Sequence, residues 1–317
     1  MRTHGLRVRV NSSNARRFHP LLLFPLLALA GLNLTAQGSL QVTLVGTGSP
    51  QFNPDRSGPS AMVSLEGVRI LVDMGTGTQA RLNSLGLSPR DLDFICFTHH
   101  HVDHDAEFPA ILVQAVLGSR LQQVVGPPGT ARLVEFHADF YREDLAYRGR
   151  LTGSEPRKVP VRDLKGGECF SLGNLQVRTA QVHHTIHTLA YRFDAQGRSI
   201  VISGDLSPSS ALVELAKGAD VLVIDGSAAA SRGPRGAARS GSPAPAGAAG
   251  GGEERRDRPG RAHSSLPEVA AMAAEAGVKR LVLTHFGPGA FDEAAARSIL
   301  AQTFKGDIVF GRDLATF

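Results

Sequence analysis

Two cysteines, Cys96 and Cys169, are all that the 317-residue chain contains. A single pair cannot build a disulfide framework, so a small stapled scaffold is excluded. Cys96 lies in the apolar run Asp93-Phe94-Ile95-Cys96-Phe97 and reads as a small buried residue, while Cys169 follows the turn Gly166-Gly167. Long hydrophobic runs are also missing. Residues 21–32 are apolar over about a dozen positions, interrupted by Pro25, where a bilayer span needs roughly 20. A stable membrane anchor is therefore not expected. No internal repeat recurs, which excludes a solenoid or propeller. Finally, residues 1–38 contain no acid at all, only Arg2, Arg7, Arg9, Arg16 and Arg17.

Basic residues, the short apolar run and the small polar stretch Leu34-Thr35-Ala36-Gln37-Gly38 follow one another in the order of a signal peptide. The expectation is a leader over residues 1–36 and a periplasmic or secreted location. The formal charge is +5, from 34 basic and 29 acidic residues, but it is unevenly spread. Residues 228–262 hold seven arginines against Glu253, Glu254 and Asp257, and together with the leader they leave a body of 22 basic against 26 acidic residues. An acidic body is a poor match for a long polyphosphate chain. A small anionic ester is the expected substrate, nucleic acid is disfavoured as a partner, and the sequence leaves a homodimer open.

Beyond the leader, short β-like runs alternate with helical stretches, the pattern of an α/β fold. Strands are expected at 40–46, 61–65, 68–73, 94–98, 122–126, 175–181, 189–193, 199–203, 220–225 and 280–284, and helices at 78–85, 107–117, 130–141, 209–217 and 266–277. Residues 228–262 break the rhythm. Gly, Ala, Ser, Pro and Arg dominate there, and such a segment cannot bury enough apolar surface to offset ordering entropy. It reads as a low-complexity insertion within one domain spanning 37–317.

Histidine is where the sequence concentrates its chemistry. Of twelve histidines, four fall in Thr98-His99-His100-His101-Val102-Asp103-His104, directly after an apolar strand. A strand end delivers side chains rigidly. In such a loop His99 and His101 can face one cation while Asp103 and His104 face a second. Imidazole and carboxylate donors with an open position suit catalytic zinc, and manganese or iron(II) accept the same donors.

The His-x-His-x-Asp-His run resembles that of the metallo-β-lactamase superfamily. The resemblance continues through Gly46-Thr47-Gly48-Ser49-Pro50, with Arg56, Gly58 and Pro59, which is similar to the opening of the arylsulfatase and ribonuclease Z branch, and through Ile70-Leu71-Val72-Asp73-Met74-Gly75. It implies a single-domain, four-layer αββα sandwich with its site at the sheet edges. It also implies two zinc sites: His99, His101, His184 and Asp205, then Asp103, His104, His285 and Asp205 as a shared ligand. Asp73 would support the histidine loop. Alone, an Asp after Ser-Gly is most often a turn residue and a His at a strand end is usually just hydrogen-bonded; the joint order carries the assignment. His183 competes with His184, whose spacing to Tyr191 fits the family.

Asp225 and His263 resemble the acid and histidine that assist proton transfer in ribonuclease Z, with Asp in place of the usual Glu. With Asp103 they are the candidate catalytic residues. The implied reaction is hydrolysis of a sulfate or phosphate ester by water activated between two cations. Gly126-Pro127-Pro128-Gly129-Thr130, Tyr141-Arg142-Glu143-Asp144 and Gly153-Ser154-Glu155-Pro156 are similar to zinc-dependent arylsulfatases. They make arylsulfatase the leading expectation. A ribonuclease Z-like phosphodiesterase is its alternative, and a metal-binding protein without turnover is a third reading.

Overall fold

The computed structural model describes residues 38–172, 174–230 and 262–317. The leader expected at 1–36 lies outside the described residues, as do positions 231–261 of the expected insertion.

The elements run β1 (Gln41–Gly46), β2 (Ser60–Leu65), β3 (Val68–Val72), α1 (Thr78–Ser84), β4 (Phe94–Cys96), α2 (Val102–Asp105), α3 (Phe108–Ala115), β5 (Gln123–Gly126), α4 (Thr130–Phe140), α5 (Arg142–Thr152) and β6 (Val161–Asp163). The second half follows with β7 (Cys169–Leu172), β8 (Leu175–Val182), β9 (Thr188–Ala195), β10 (Arg198–Ile202), α6 (Ser210–Ala216), β11 (Val221–Asp225), α7 (Ser227–Ala230), α8 (Leu266–Ala276), β12 (Arg280–Thr284), α9 (Glu293–Thr303) and β13 (Asp307–Phe310). Residues 228–230, expected to open the insertion, instead continue α7.

Six strands form one sheet in the order β1-β2-β3-β4-β5-β6, and seven form the other in the order β13-β12-β11-β10-β9-β8-β7. Each begins with antiparallel hairpins and ends with parallel strands. Parallel pairing requires crossovers, and the crossover helices cover the outer faces. Hence β11 and β12 are apolar runs, Val-Leu-Val-Ile and Leu-Val-Leu, buried on both faces. In β8, closer to an edge, buried Leu175, Val177, Thr179 and Val182 alternate with more exposed neighbours.

Three apolar layers result, giving a single αββα domain. Val42, Val63, Ile70, Val72, Val177, Tyr191, Phe193 and Val223 fill the space between the sheets. Leu82, Phe108, Ile111 and Leu112 pack α1 and α3 on the first sheet, and Leu212, Val269, Met272 and Leu300 pack α6, α8 and α9 on the second. Helix starts are capped where the sequence supplies an acceptor: Glu268 closes a capping box on Ser265, Asp292 accepts from the Ala295 amide, and Ser209 from Leu212. Helix α5 was not expected, because only Leu145 and Gly149 along it are buried, too few to leave a periodic apolar stripe. Strands β6, β7 and β13 are three or four residues long and leave an equally faint trace.

Candidate metal centre

Strands β3, β4, β8, β10, β11 and β12 all point their C-terminal ends at one edge of the sandwich, and every candidate residue except His263, which stands shortly before α8, sits on or just beyond one of those ends. Strand β4 leads into Thr98 and the histidine loop. Strand β8 leads into His184, β10 into Asp205, β11 ends on Asp225, and β12 leads into His285.

The donors expected from the sequence come together in two groups whose atoms lie within 4.8 Å of one another: His99, His101, His184 and Asp205 in one, and Asp103, His104 and His285 in the other. In the first, His101 Nδ1 is 3.0 Å from His99 Nε2 and 3.2 Å from His184 Nε2. In the second, His285 Nε2 is 3.3 Å from Asp103 Oδ2. Asp205 faces both. Its Oδ1 lies 3.5 Å from His104 Nε2, and its Oδ2 lies 3.3 Å from His285 and 3.9 Å from His184. Of the two rival histidines, His184 lies in the first group, while the His183 carbonyl accepts from the Ser207 amide at 2.8 Å.

Supporting contacts fix these rings. Asp73 Oδ1 accepts from the Thr98 amide at 2.7 Å, and its Oδ2 accepts from the Thr98 hydroxyl at 2.6 Å and pairs with His104 Nδ1 at 2.8 Å. The remaining hydroxyl geometry of Thr98 meets His99 Nδ1 at 2.9 Å. Tyr191 donates from its buried phenol to the Phe97 carbonyl at 2.7 Å, tying the second sheet to the loop. Backbone strain collects here too: Asp73 at φ 58° and His285 at φ 65° are non-glycine residues in the left-handed region. Gly75 has to be glycine because a Cβ would collide with the Asp103 carbonyl.

The charges divide. Burial pushes His99 well below its usual value, reinforced by the neighbouring His104, and burial lowers His184 as well. Burial also disfavours charge on His104 and His285, but the carboxylates facing them, Asp205 above all, outweigh it and raise both. Burial would raise Asp205, yet His285 and His104 hold it well below the carboxylate range. Among the described residues His104 Nε2 is buried with no hydrogen-bond partner, although it points at two carboxylates. A buried nitrogen left so, among nitrogen and oxygen donors at this spacing, fits a divalent metal.

His263 and Asp225, separated in sequence by the insertion, are joined in the fold: Nδ1 of the first pairs with Oδ2 of the second at 2.6 Å. The His263 ring lies 5.7 Å from that of His184 and 5.6 Å from that of His285, centre to centre. Burial opposes charge on His263, but the bond to Asp225 outweighs it and raises the pKa. Sequence reasoning missed three contributors. The Ala262 carbonyl meets His184 Nδ1 at 2.7 Å, the Thr185 hydroxyl meets His101 Nε2 at 3.2 Å, and Asp313 accepts from Thr47, Ser57 and Arg81 beneath the loop after β1. Only Thr185 offered a signal, its place beside His184.

A family profile described as a β-lactamase superfamily domain matches residues 68–286. A ribonuclease Z of Mycobacterium bovis is 32% identical over 288 residues, covering 87% of this chain and 96% of the relative. The chain belongs to the metallo-β-lactamase superfamily. A ribonuclease Z of Mycobacterium avium is 33% identical over 289 residues with the same shares covered. Among solved structures, a metallo-β-lactamase fold protein from Bacillus subtilis aligns with a TM-score of 0.64 at 17% identity, covering 88% of this chain and 98% of that one. The short form of human tRNase Z aligns with a TM-score of 0.58 at 21% identity, covering 87% and 98%. At such identities the structures establish the fold alone. The chain is thus a hydrolase of this superfamily, whose fold normally binds metal ions.

The relatives correct the expectation of a periplasmic or secreted location. They are named ribonuclease Z, and the location inferred from a leader does not stand against them. They also shift the weight from the arylsulfatase expectation to its phosphodiesterase alternative.

Proposed function

We propose that this chain is a dimetal phosphodiesterase that cleaves RNA, of the ribonuclease Z kind. The observation that carries the reading is the His263–Asp225 pair, 2.6 Å apart, set beside both donor groups. A metal centre alone serves many reactions; an oriented histidine next to it supplies what a poor alkoxide leaving group needs.

His99, His101, His184 and Asp205 would hold one ion, and Asp103, His104, His285 and Asp205 the other, with zinc the best match to the donors. Two such ions, when bound, supply Lewis acidity and a water of lowered pKa. The chain's own residues do the rest. Asp73 and Thr98 keep His99 and His104 in the tautomers that turn a lone pair inward. Asp225 fixes the proton on His263 Nδ1, leaving Nε2 to give a proton to the departing oxygen; the raised pKa keeps that proton in place near neutrality. The acidic body limits the contact to a short stretch of RNA, such as an end.

Zinc-loaded protein should hydrolyse bis(p-nitrophenyl) phosphate and remove a 3′ trailer from a structured RNA, leaving p-nitrophenyl sulfate nearly untouched. A preference for the sulfate would overturn the reading and restore the arylsulfatase.

A further inference from the structure

Among the described residues the exposed large apolar side chains fall in two places. Phe136, Phe140, Tyr147 and Leu151 lie on α4 and α5, while Phe52, Val102 and Ile186 lie around the metal centre. Phe52 is 85% exposed and Val102 76%. Both line one cleft of about 510 Å³, and Asp103 lines it too, so the cleft borders one donor of the second group. That volume falls within the roughly 300–1,000 Å³ of ligand-sized sites.

The loop that carries Phe52 is fixed rather than loose. Its ends are tied by the Gly48 amide to the Ser57 carbonyl at 2.7 Å, and its far end by the Ser57 amide to Asp313 at 2.7 Å. Pro50 and Pro54 flank the ring with their own restricted backbone. The two cations on the cleft are already committed. Arg56 donates to Thr47 and the Gly311 carbonyl and lies over the Phe286 ring, and Arg81 donates to Asp313 and Ser57. What the cleft offers a ligand is therefore a flat ring and an aliphatic side chain held beside the reacting centre, with no free positive charge.

We propose that Phe52, with Val102, forms a subsite that stacks the nucleobase attached to the scissile phosphodiester. The inference rests on the phosphodiesterase reading, which puts a nucleoside next to the phosphorus. A ring on a braced loop accepts any base face without reading its edges, so the subsite sets affinity for nucleotides over other esters and not a sequence preference.

The test compares two phosphodiesters with the same leaving group, thymidine 5′-(p-nitrophenyl phosphate) and methyl p-nitrophenyl phosphate, on wild-type, Phe52→Ala and Phe52→Tyr proteins loaded with zinc. Phe52→Ala should raise KM for the nucleoside ester roughly five- to hundred-fold, the range that removing one aromatic platform produces, with kcat and the methyl ester unchanged. Phe52→Tyr should restore it. An equal change for both esters, or none for either, overturns the subsite. If neither ester is hydrolysed, the phosphodiesterase reading falls, and calorimetric binding of thymidine 5′-monophosphate judges the subsite alone. Binding at least fivefold tighter by wild type than by Phe52→Ala upholds it, and equal binding rejects it. With Phe52 so exposed, its removal leaves the core intact, and an unchanged melting temperature verifies this.

Discussion

The two sides of the metal centre are built on different plans. On the side of the first sheet, four donors fall within six residues, His99 to His104, and their supports, Asp73 and Thr98, lie just beyond the ends of strands paired directly with one another, Val72 opposite Cys96. On the side of the second sheet, His184, Asp205 and His285 come from the ends of three separate strands. Their supports come from farther away still: the Ala262 carbonyl for His184, with Asp225 Oδ1 3.9 Å from His285 Nδ1. The first side is a local unit that one loop can assemble. The second exists only once the whole sheet has formed, because β10, β11 and β12 have to align in parallel before Asp205, Asp225 and His285 meet.

Asp205 is where the two plans meet, and its removal should produce the largest effect. Asp205→Ala is expected to cost more activity than the roughly 10–100-fold that loss of a supporting group brings, and to lower the metal content below the two ions per chain proposed above. Atomic absorption after dialysis measures the latter. Retention of two ions would mean that each donor group holds its ion without Asp205.

His263→Ala separates chemistry from metal binding on the second side. The metal content should stay at the wild-type level, while turnover of an RNA or alkyl phosphodiester falls about 10²- to 10⁴-fold. A nitrophenyl ester, whose leaving group needs no proton, should lose little. Asp225→Asn should reproduce the effect in part. Equal losses for both substrates would show that His263 positions the centre and does not donate to the leaving oxygen.

Asp73→Ala tests the first side. Asp73 is buried, and its loss strands the Thr98 amide, a cost of about 1–3 kcal/mol for an unsatisfied buried group. Metal affinity should fall roughly 10- to 100-fold, read by chelator competition, and the melting temperature should drop with it. If affinity holds while stability falls, the local unit assembles its donors without that carboxylate.

The same contrast explains what could be read from the sequence. The first side was legible as a motif because its donors are neighbours in the chain, and the resemblance of the strand and turn around Asp73 supplied that residue. The strands of the second sheet were legible as apolar runs, since burial on both faces writes a continuous pattern, and the resemblance then placed His184, Asp205 and His285 upon them. Asp225 and His263 were named together by the resemblance, across the insertion that separates them, and their contact at 2.6 Å belongs to the fold. Asp313 was out of reach: it bonds to the loop after β1 across more than 250 positions, and a carboxylate near the C-terminus carries no local sign of that partner. The Ala262 carbonyl was equally hidden, because a backbone acceptor has no sequence code. Helix α5 was missed for lack of an apolar face.

Thr185 crosses from one plan to the other and should give the smallest effect. It follows the second-side donor His184, yet its hydroxyl meets Nε2 of the first-side donor His101 at 3.2 Å, while Nδ1 of that ring faces His99 and His184. An acceptor at Nε2 keeps the proton there and leaves Nδ1 free as a donor to metal. The bond is single, at a solvent-exposed hydroxyl, and water can replace it, so Thr185→Val should weaken metal binding by less than the roughly 10-fold at the low end for supporting groups. Thr185→Ser should recover the loss, because it keeps the hydroxyl and sheds only the methyl group. Chelator competition on the three proteins decides it. Recovery by Ser would show that the second sheet orients a ligand of the first, whereas equal weakening by Ser and Val would reduce Thr185 to packing.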